Sequence, residues 1–136
     1  MSNDYGMYRG DSLILYVQVQ QLQDPTQPCS ITNPKVPVDL TGAKIWMTAK
    51  EALADLDADA VFQITTPTDI IIDADPATGR AKVVVPADAT LAVVFPTGVA
   101  QVELFYDVQV KTVDGIVQTV AAGKLTLTED VTDAIT

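Results

Sequence analysis

Val99-Ala-Gln-Val-Glu-Leu-Phe-Tyr-Asp-Val-Gln-Val-Lys-Thr112, then Val113-Asp-Gly115, then Ile116-Val-Gln-Thr-Val-Ala-Ala-Gly-Lys-Leu-Thr-Leu-Thr128, is the stretch on which the fold turns. Val102, Leu104, Tyr106, Val108 and Val110 share one parity, and Gln101, Glu103, Phe105, Asp107 and Gln109 share the other. A period of two puts the first set on one face of a strand and the second on the opposite face. Asp114-Gly115 between two such runs is a hairpin signal, because glycine supplies the positive φ that the tight turn needs. Two long antiparallel strands are therefore expected here, with Tyr106 in the core and Phe105 on the outer side.

Working outward, Ser12–Gln20 alternates in the same way, with Leu13, Leu15, Val17 and Val19 on one face and Gln18 and Gln20 on the other. Ala43–Lys50 places Ala43, Ile45, Met47 and Ala49 inward and Lys44, Trp46, Thr48 and Lys50 outward. Ala60–Thr65, Asp69–Ile72 and Ala81–Val85 read as shorter strands. Val38–Gly42 and Asp73–Arg80 read as turns, the latter with Pro76 and Gly79 at turn positions. Pro86–Val94 has a helix-start composition long enough for one turn, and Glu51–Asp59 is ambiguous between a turn of helix and a loop. Residues 1–11 read as an irregular lead-in. The segment 21–37 carries four prolines, which cannot donate to a sheet ladder, and reads as a long exposed loop. Six to eight short strands at roughly ten-residue spacing, with almost no helix, imply an all-β sandwich.

Composition narrows the functions. The 136 residues include 18 Asp plus Glu, 8 Lys plus Arg and no histidine, a net charge of −10. Catalysis through a histidine base is excluded, as is an imidazole metal ligand. A chain this acidic is a poor match for nucleic acid, whose affinity rests on Lys and Arg, and for anionic membrane surfaces. The single Cys29 cannot form an intramolecular disulfide. The N-terminus has no signal-peptide pattern, and runs such as Leu91–Phe95 are far shorter than a bilayer span. Synthesis in a reducing cytosol is expected.

The chemistry-bearing residues are few. Asp55, Asp57 and Asp59 follow a D-x-D-x-D spacing that could gather oxygens round calcium. Ala60 and Thr66 occupy the places where an EF-hand loop needs Gly and Glu, so a solvated acidic loop is the simpler reading and no metal is assigned. Asp73 and Asp75 are a further carboxylate pair, on a turn without a visible supporting shell. Arg9-Gly-Asp11 spells an integrin-recognition triplet, but its position just before the first strand favours a local role: glycine for the turn, and Asp11 bonding backbone amides. Cys29, with no histidine beside it, lacks the means of activation as a nucleophile. Trp46 and Phe105, both on outer faces, remain as interaction-surface candidates. Each is either an interface anchor or sugar-stacking platform, or cover for a small core.

Taken in order, Arg9-Gly-Asp-Ser12, Asp39-Leu-Thr-Gly-Ala43, Asp75-Pro-Ala-Thr-Gly79, Pro86-Ala-Asp-Ala-Thr90, Tyr106-Asp-Val-Gln-Val110, Asp114-Gly115 and Gly123 through Asp130-Val-Thr132 resemble the small immunoglobulin-like domain of tailed-bacteriophage structural proteins. They are similar to the N-terminal domain of phage baseplate upper proteins. The resemblance spans about residues 8–132. It implies one immunoglobulin-like antiparallel β-sandwich with one or two short helical turns over 9–132, with 21–37 inserted, a flexible lead-in over 1–8 and a tail at 133–136. It also implies a virion component, non-enzymatic and without cofactor, packing against other virion structural proteins and further copies of itself. Tail, baseplate, neck and capsid decoration all remain open positions. The alternative from the residues themselves is a carbohydrate- or host-surface-binding module using Trp46 and Phe105, with calcium at Asp55, Asp57 and Asp59. A hydrolase acting through the aspartates is the remaining option.

Overall fold

In the computed structural model, residues 4–24, 26–52, 54, 60–91 and 93–129 are described. The long hairpin is present as β9 (Gln101–Lys111) and β10 (Val117–Thr128), paired from Lys111 opposite Val117 to Gln101 opposite Thr128. Gly115 takes φ 87°, and the Thr112 N–H donates to the Ile116 carbonyl at 2.9 Å. A bulge between Thr119 and Ala121 shifts the register. Without that extra residue the period of two would turn Leu125 and Leu127 outward. With it they are fully buried.

β9 also pairs with β5 (Lys44–Lys50), and β5 with β6 (Phe62–Thr65). With β1 (Tyr5–Tyr8) beside β10, these form a five-stranded sheet in the order β1-β10-β9-β5-β6. The opposing sheet is β2-β8-β7, from Leu13–Gln18, Arg80–Val85 and Ile70–Ile72. Short 3-10 turns at Pro76–Thr78 and Ala87–Thr90 flank β8. The three-stranded sheet occupies the immunoglobulin positions B-E-D, and β10-β9-β5-β6 the positions G-F-C-C′. The chain is thus an immunoglobulin-like β-sandwich, as the sequence suggests, with every pairing antiparallel except β1 with β10.

The core lies between the two inner faces. Ile45, Met47, Leu104, Val108, Leu125 and Leu127 from one sheet meet Leu15, Ile70, Val83 and Val85 from the other. Each such side chain contributes about 1.5–3 kcal/mol by leaving water. No disulfide crosses between the sheets, since Cys29 is the one cysteine and is exposed.

Two sequence expectations are corrected. The lead-in is not irregular throughout: Tyr5–Tyr8 adds in parallel to the free edge of β10, Met7 is buried, and the Tyr5 ring packs 6.1 Å from that of Tyr106. The 21–37 segment is not an open loop. Gln20–Leu22 (β3) pairs with Lys35–Pro37 (β4), and Asn33 organises the tip between them. Its Oδ1 accepts from the Asp24 N–H at 2.8 Å, and its Nδ2 donates to the carbonyls of Asp24, Gln27 and Pro28. One buried amide supplies the hydrogen bonds that the prolines cannot. The ambiguous 51–59 stretch falls mostly outside the described residues, as does the expected 133–136 tail.

Candidate functional site

The outer face of the five-stranded sheet is a grid fixed by its registers. Across β6, β5, β9 and β10, Thr65, Trp46, Gln109 and Thr119 form one row, and Gln63, Thr48, Asp107 and Ala122 the next. Lys50, Phe105 and Lys124 make a third row, while Lys44 stands opposite Lys111 at the other end. Trp46 and Phe105 are therefore on one face, as their parity requires, and both are half-buried. They line a single shallow groove of about 280 Å3 with Thr48, Asp107 and Gln109 on its floor. Gln109 Nε2 donates to Asp107 Oδ2 at 3.3 Å, and Gln63 Nε2 donates to Thr48 Oγ1 at 2.9 Å. On its far side Trp46 borders a second hollow, about 340 Å3, with Lys44, Gln63, Thr65 and Lys111.

Beneath this face, burial pushes the Tyr106 hydroxyl up to about 12, with the nearby Tyr5 and Asp4 adding to the effect. Tyr106 is a core residue, as its parity predicts.

The aspartates divide. Asp55, Asp57 and Asp59 lie outside the described residues. Asp73 and Asp75 do not face each other across a cleft. Asp73 Oδ1 accepts from the Asp75 N–H at 3.1 Å, and Asp75 Oδ1 from the Ala77 N–H at 3.2 Å, so both carboxylates shape one turn. Asp39 repeats the device, its Oδ1 accepting from the N–H and hydroxyl of Thr41. Those two bonds hold its carboxyl below the usual carboxylate range. Among the described residues, no group of three or more His, Cys, Asp or Glu side chains is placed to hold a metal.

Arg9-Gly-Asp11 is docked onto the sandwich. The Arg9 guanidinium lies 5.2 Å from the Phe95 ring centre and donates to the Val93 carbonyl, and the Gly10 N–H donates to the buried Thr90 Oγ1. Asp11 contributes its backbone N–H, to the Tyr8 carbonyl at 3.1 Å, rather than the carboxylate cap expected from sequence. Cys29 is exposed on the 21–37 segment.

Sequence reasoning missed a second surface. On the outer face of the three-stranded sheet Tyr16, Lys82 and Ile71 form one row and Ile14 lies beside Val84 in the next. Tyr16 is 77% exposed, Ile71 53% and Ile14 49%, beside a hollow of about 570 Å3. The signal was in the parity of Ser12–Gln20: Ile14 and Tyr16 share the solvent side with Gln18 and Gln20.

No protein-family model and no curated protein matches the chain. Among solved structures, AggA aligns with 95% of this chain and 91% of its own, at 9% identity and a TM-score of 0.28. AggA is the major subunit of aggregative adherence fimbriae type I from Escherichia coli. A likeness at that score carries no functional argument.

Proposed function

We propose that the chain is a non-enzymatic structural protein of a tailed-bacteriophage virion, working through protein–protein contacts. The observation that carries this reading is the Ile14–Tyr16–Ile71 stripe, three large apolar side chains on an outward sheet face of an otherwise acidic chain. Clustered apolar exposure of this kind marks interaction surfaces. The order of turn motifs shared with phage immunoglobulin-like domains supplies the setting. The net charge of −10 fits a subunit that stays soluble until assembly and does not adhere to a packaged genome. The test replaces Tyr16→Glu with Ile71→Lys and follows incorporation into particles. Because both side chains are exposed, the circular dichroism of the purified variant should be unchanged while incorporation is lost. Incorporation at the wild-type level would remove this support.

A second reading, saccharide binding, is favoured by one specific arrangement: two aromatic rings lining a groove with a carboxylate, an amide and a hydroxyl on its floor. Rings of this kind stack on the apolar faces of sugars while the polar groups bond hydroxyls. A glycan array that stays blank with and without calcium would dispose of it.

A further inference from the structure

Four of the eight basic residues project from the outer face of the five-stranded sheet: Lys44, Lys50, Lys111 and Lys124. Among the described residues, Glu103 and Asp107 are carboxylates on the same face, and Asp4 accepts from the Lys124 N–H at 3.0 Å. The face therefore gathers half of the basic residues of a chain whose net charge is −10. Lys44 and Lys111 are direct cross-strand partners. Like charges so placed repel, at a cost to the isolated sheet. Among the described residues neither makes an ion pair, whereas Lys124 lies 3.7 Å from Glu103. The two ammonium groups frame the hollow walled by Trp46, Thr65 and Gln63. An anion entering there would relieve the repulsion and meet an aromatic wall.

We propose that this hollow receives an acidic turn from a second copy of the chain. The assignment rests on the assembly reading above and specifies its contact. Charge complementarity selects the occupant: the chain as a whole is acidic, and Asp39, Asp73 and Asp75 are held in hydrogen-bonded turns. Asp39 sits on the Val38–Gly42 turn and Asp73 and Asp75 on the 73–80 turn, and the two turns are tied by the Leu40 N–H donating to the Pro76 carbonyl at 3.0 Å. A polyanionic glycan or nucleic acid, charged along its whole length, fits less well, since Asp107 and Glu103 share the face and oppose an extended run of anions. Donor turn and acceptor face are different surfaces, so the contact is heterologous and repeats into a ring or a row.

Sedimentation velocity at low and high ionic strength tests the proposal with two variants. Lys44→Glu with Lys111→Glu spoils the face. Asp39→Asn, Asp73→Asn and Asp75→Asn remove the turn charges but keep the side-chain oxygens that shape the turns. Wild-type chain should self-associate at low salt and less so as salt screens the contact. Each variant alone should associate on the order of tenfold or more weakly. An equimolar mixture should form a one-to-one dimer that grows no further, since each partner keeps one intact surface. Wild-type association unaffected by the substitutions would overturn the assigned surface while leaving the assembly reading in place, as would a mixture that fails to pair. A wild-type chain that stays monomeric at every salt concentration, or that binds a sulfated polysaccharide through Lys44 and Lys111 without self-association, would overturn the inference outright. The incorporation assay with Tyr16→Glu and Ile71→Lys judges the functional reading separately.

Discussion

Gly79 sits where three segments converge, and replacing it with alanine gives a sharp test of the packing. Its φ of 70° lies in the left-handed region, and its carbonyl accepts from the Val19 N–H at 2.7 Å. A Cβ there would meet the Val19 carbonyl oxygen at 2.6 Å and the Val38 oxygen and nitrogen at 3.1 and 3.2 Å. All three are backbone atoms, so no side chain can swing aside. Gly115 provides the control, with φ 87° and no atom within 4 Å of a built Cβ. Gly115→Ala should cost only the left-handed penalty, about 1–2 kcal/mol. Gly79→Ala should add about 1–3 kcal/mol of overpacking and weaken the Val19–Gly79 and Val38–Val19 hydrogen bonds, each worth about 1 kcal/mol. At roughly 4 °C per kcal/mol for a domain of this size, the melting temperature should fall by about 4–8 °C for Gly115→Ala and by about 8–28 °C for Gly79→Ala, the upper end if both hydrogen bonds are lost. Circular dichroism and the fluorescence of Trp46 both report the transition. Equal shifts for the two variants would refute the argument that the 73–80 turn is wedged against the β2–β4 junction.

Asn33→Ala removes the amide that ties together the 24–33 tip. A cost of about 1–3 kcal/mol is expected from the backbone groups left unpaired, with limited proteolysis inside 21–37 appearing well before global unfolding. Arg9→Ala removes the contact with Phe95 and the bond to Val93, and should destabilise by about 1–2 kcal/mol in thermal melts. Tyr106 holds its proton more tightly folded than unfolded. Its contribution to stability is thus fully present below pH 10 and lost as pH rises toward about 12; Tyr106→Phe should abolish both that alkaline loss and the late component of the ultraviolet phenolate titration. The hydrogen-bonded Asp39 carboxylate acts in the opposite sense, adding stability that disappears in acid as its lowered pKa is crossed. Asp39→Ala should flatten the acid limb of the stability profile.

Much of this architecture was legible because a strand's period of two is written directly in residue order. The parity of Gln101–Lys111 placed Tyr106 inside and Phe105 outside, and Ala43–Lys50 placed Trp46 on the same outer face. What parity could not supply was which strands are neighbours. Lys44 and Lys111 are 67 positions apart in sequence, and only the β5–β9 register makes them a like-charged pair. The Tyr5–Tyr8 strand was obscured for a related reason: its partner is the free edge of β10, and a short parallel strand carries little local pattern. In the 21–37 segment four prolines signalled an exposed loop, and its described residues are mostly exposed, but nothing local announced the buried asparagine that orders its tip by bonding four backbone groups. The turns at Asp39 and Asp73 were read well, since both carboxylates act through local chemistry that needs no distant partner.

Quantitative mass spectrometry of phage particles purified from lysates in which this chain is expressed tests the proposed virion role most directly. The account predicts that the chain copurifies with the particle through density-gradient and high-salt washes, at a fixed multiple-copy ratio to the other structural proteins. A chain abundant in the infected cell but absent from washed particles would contradict it.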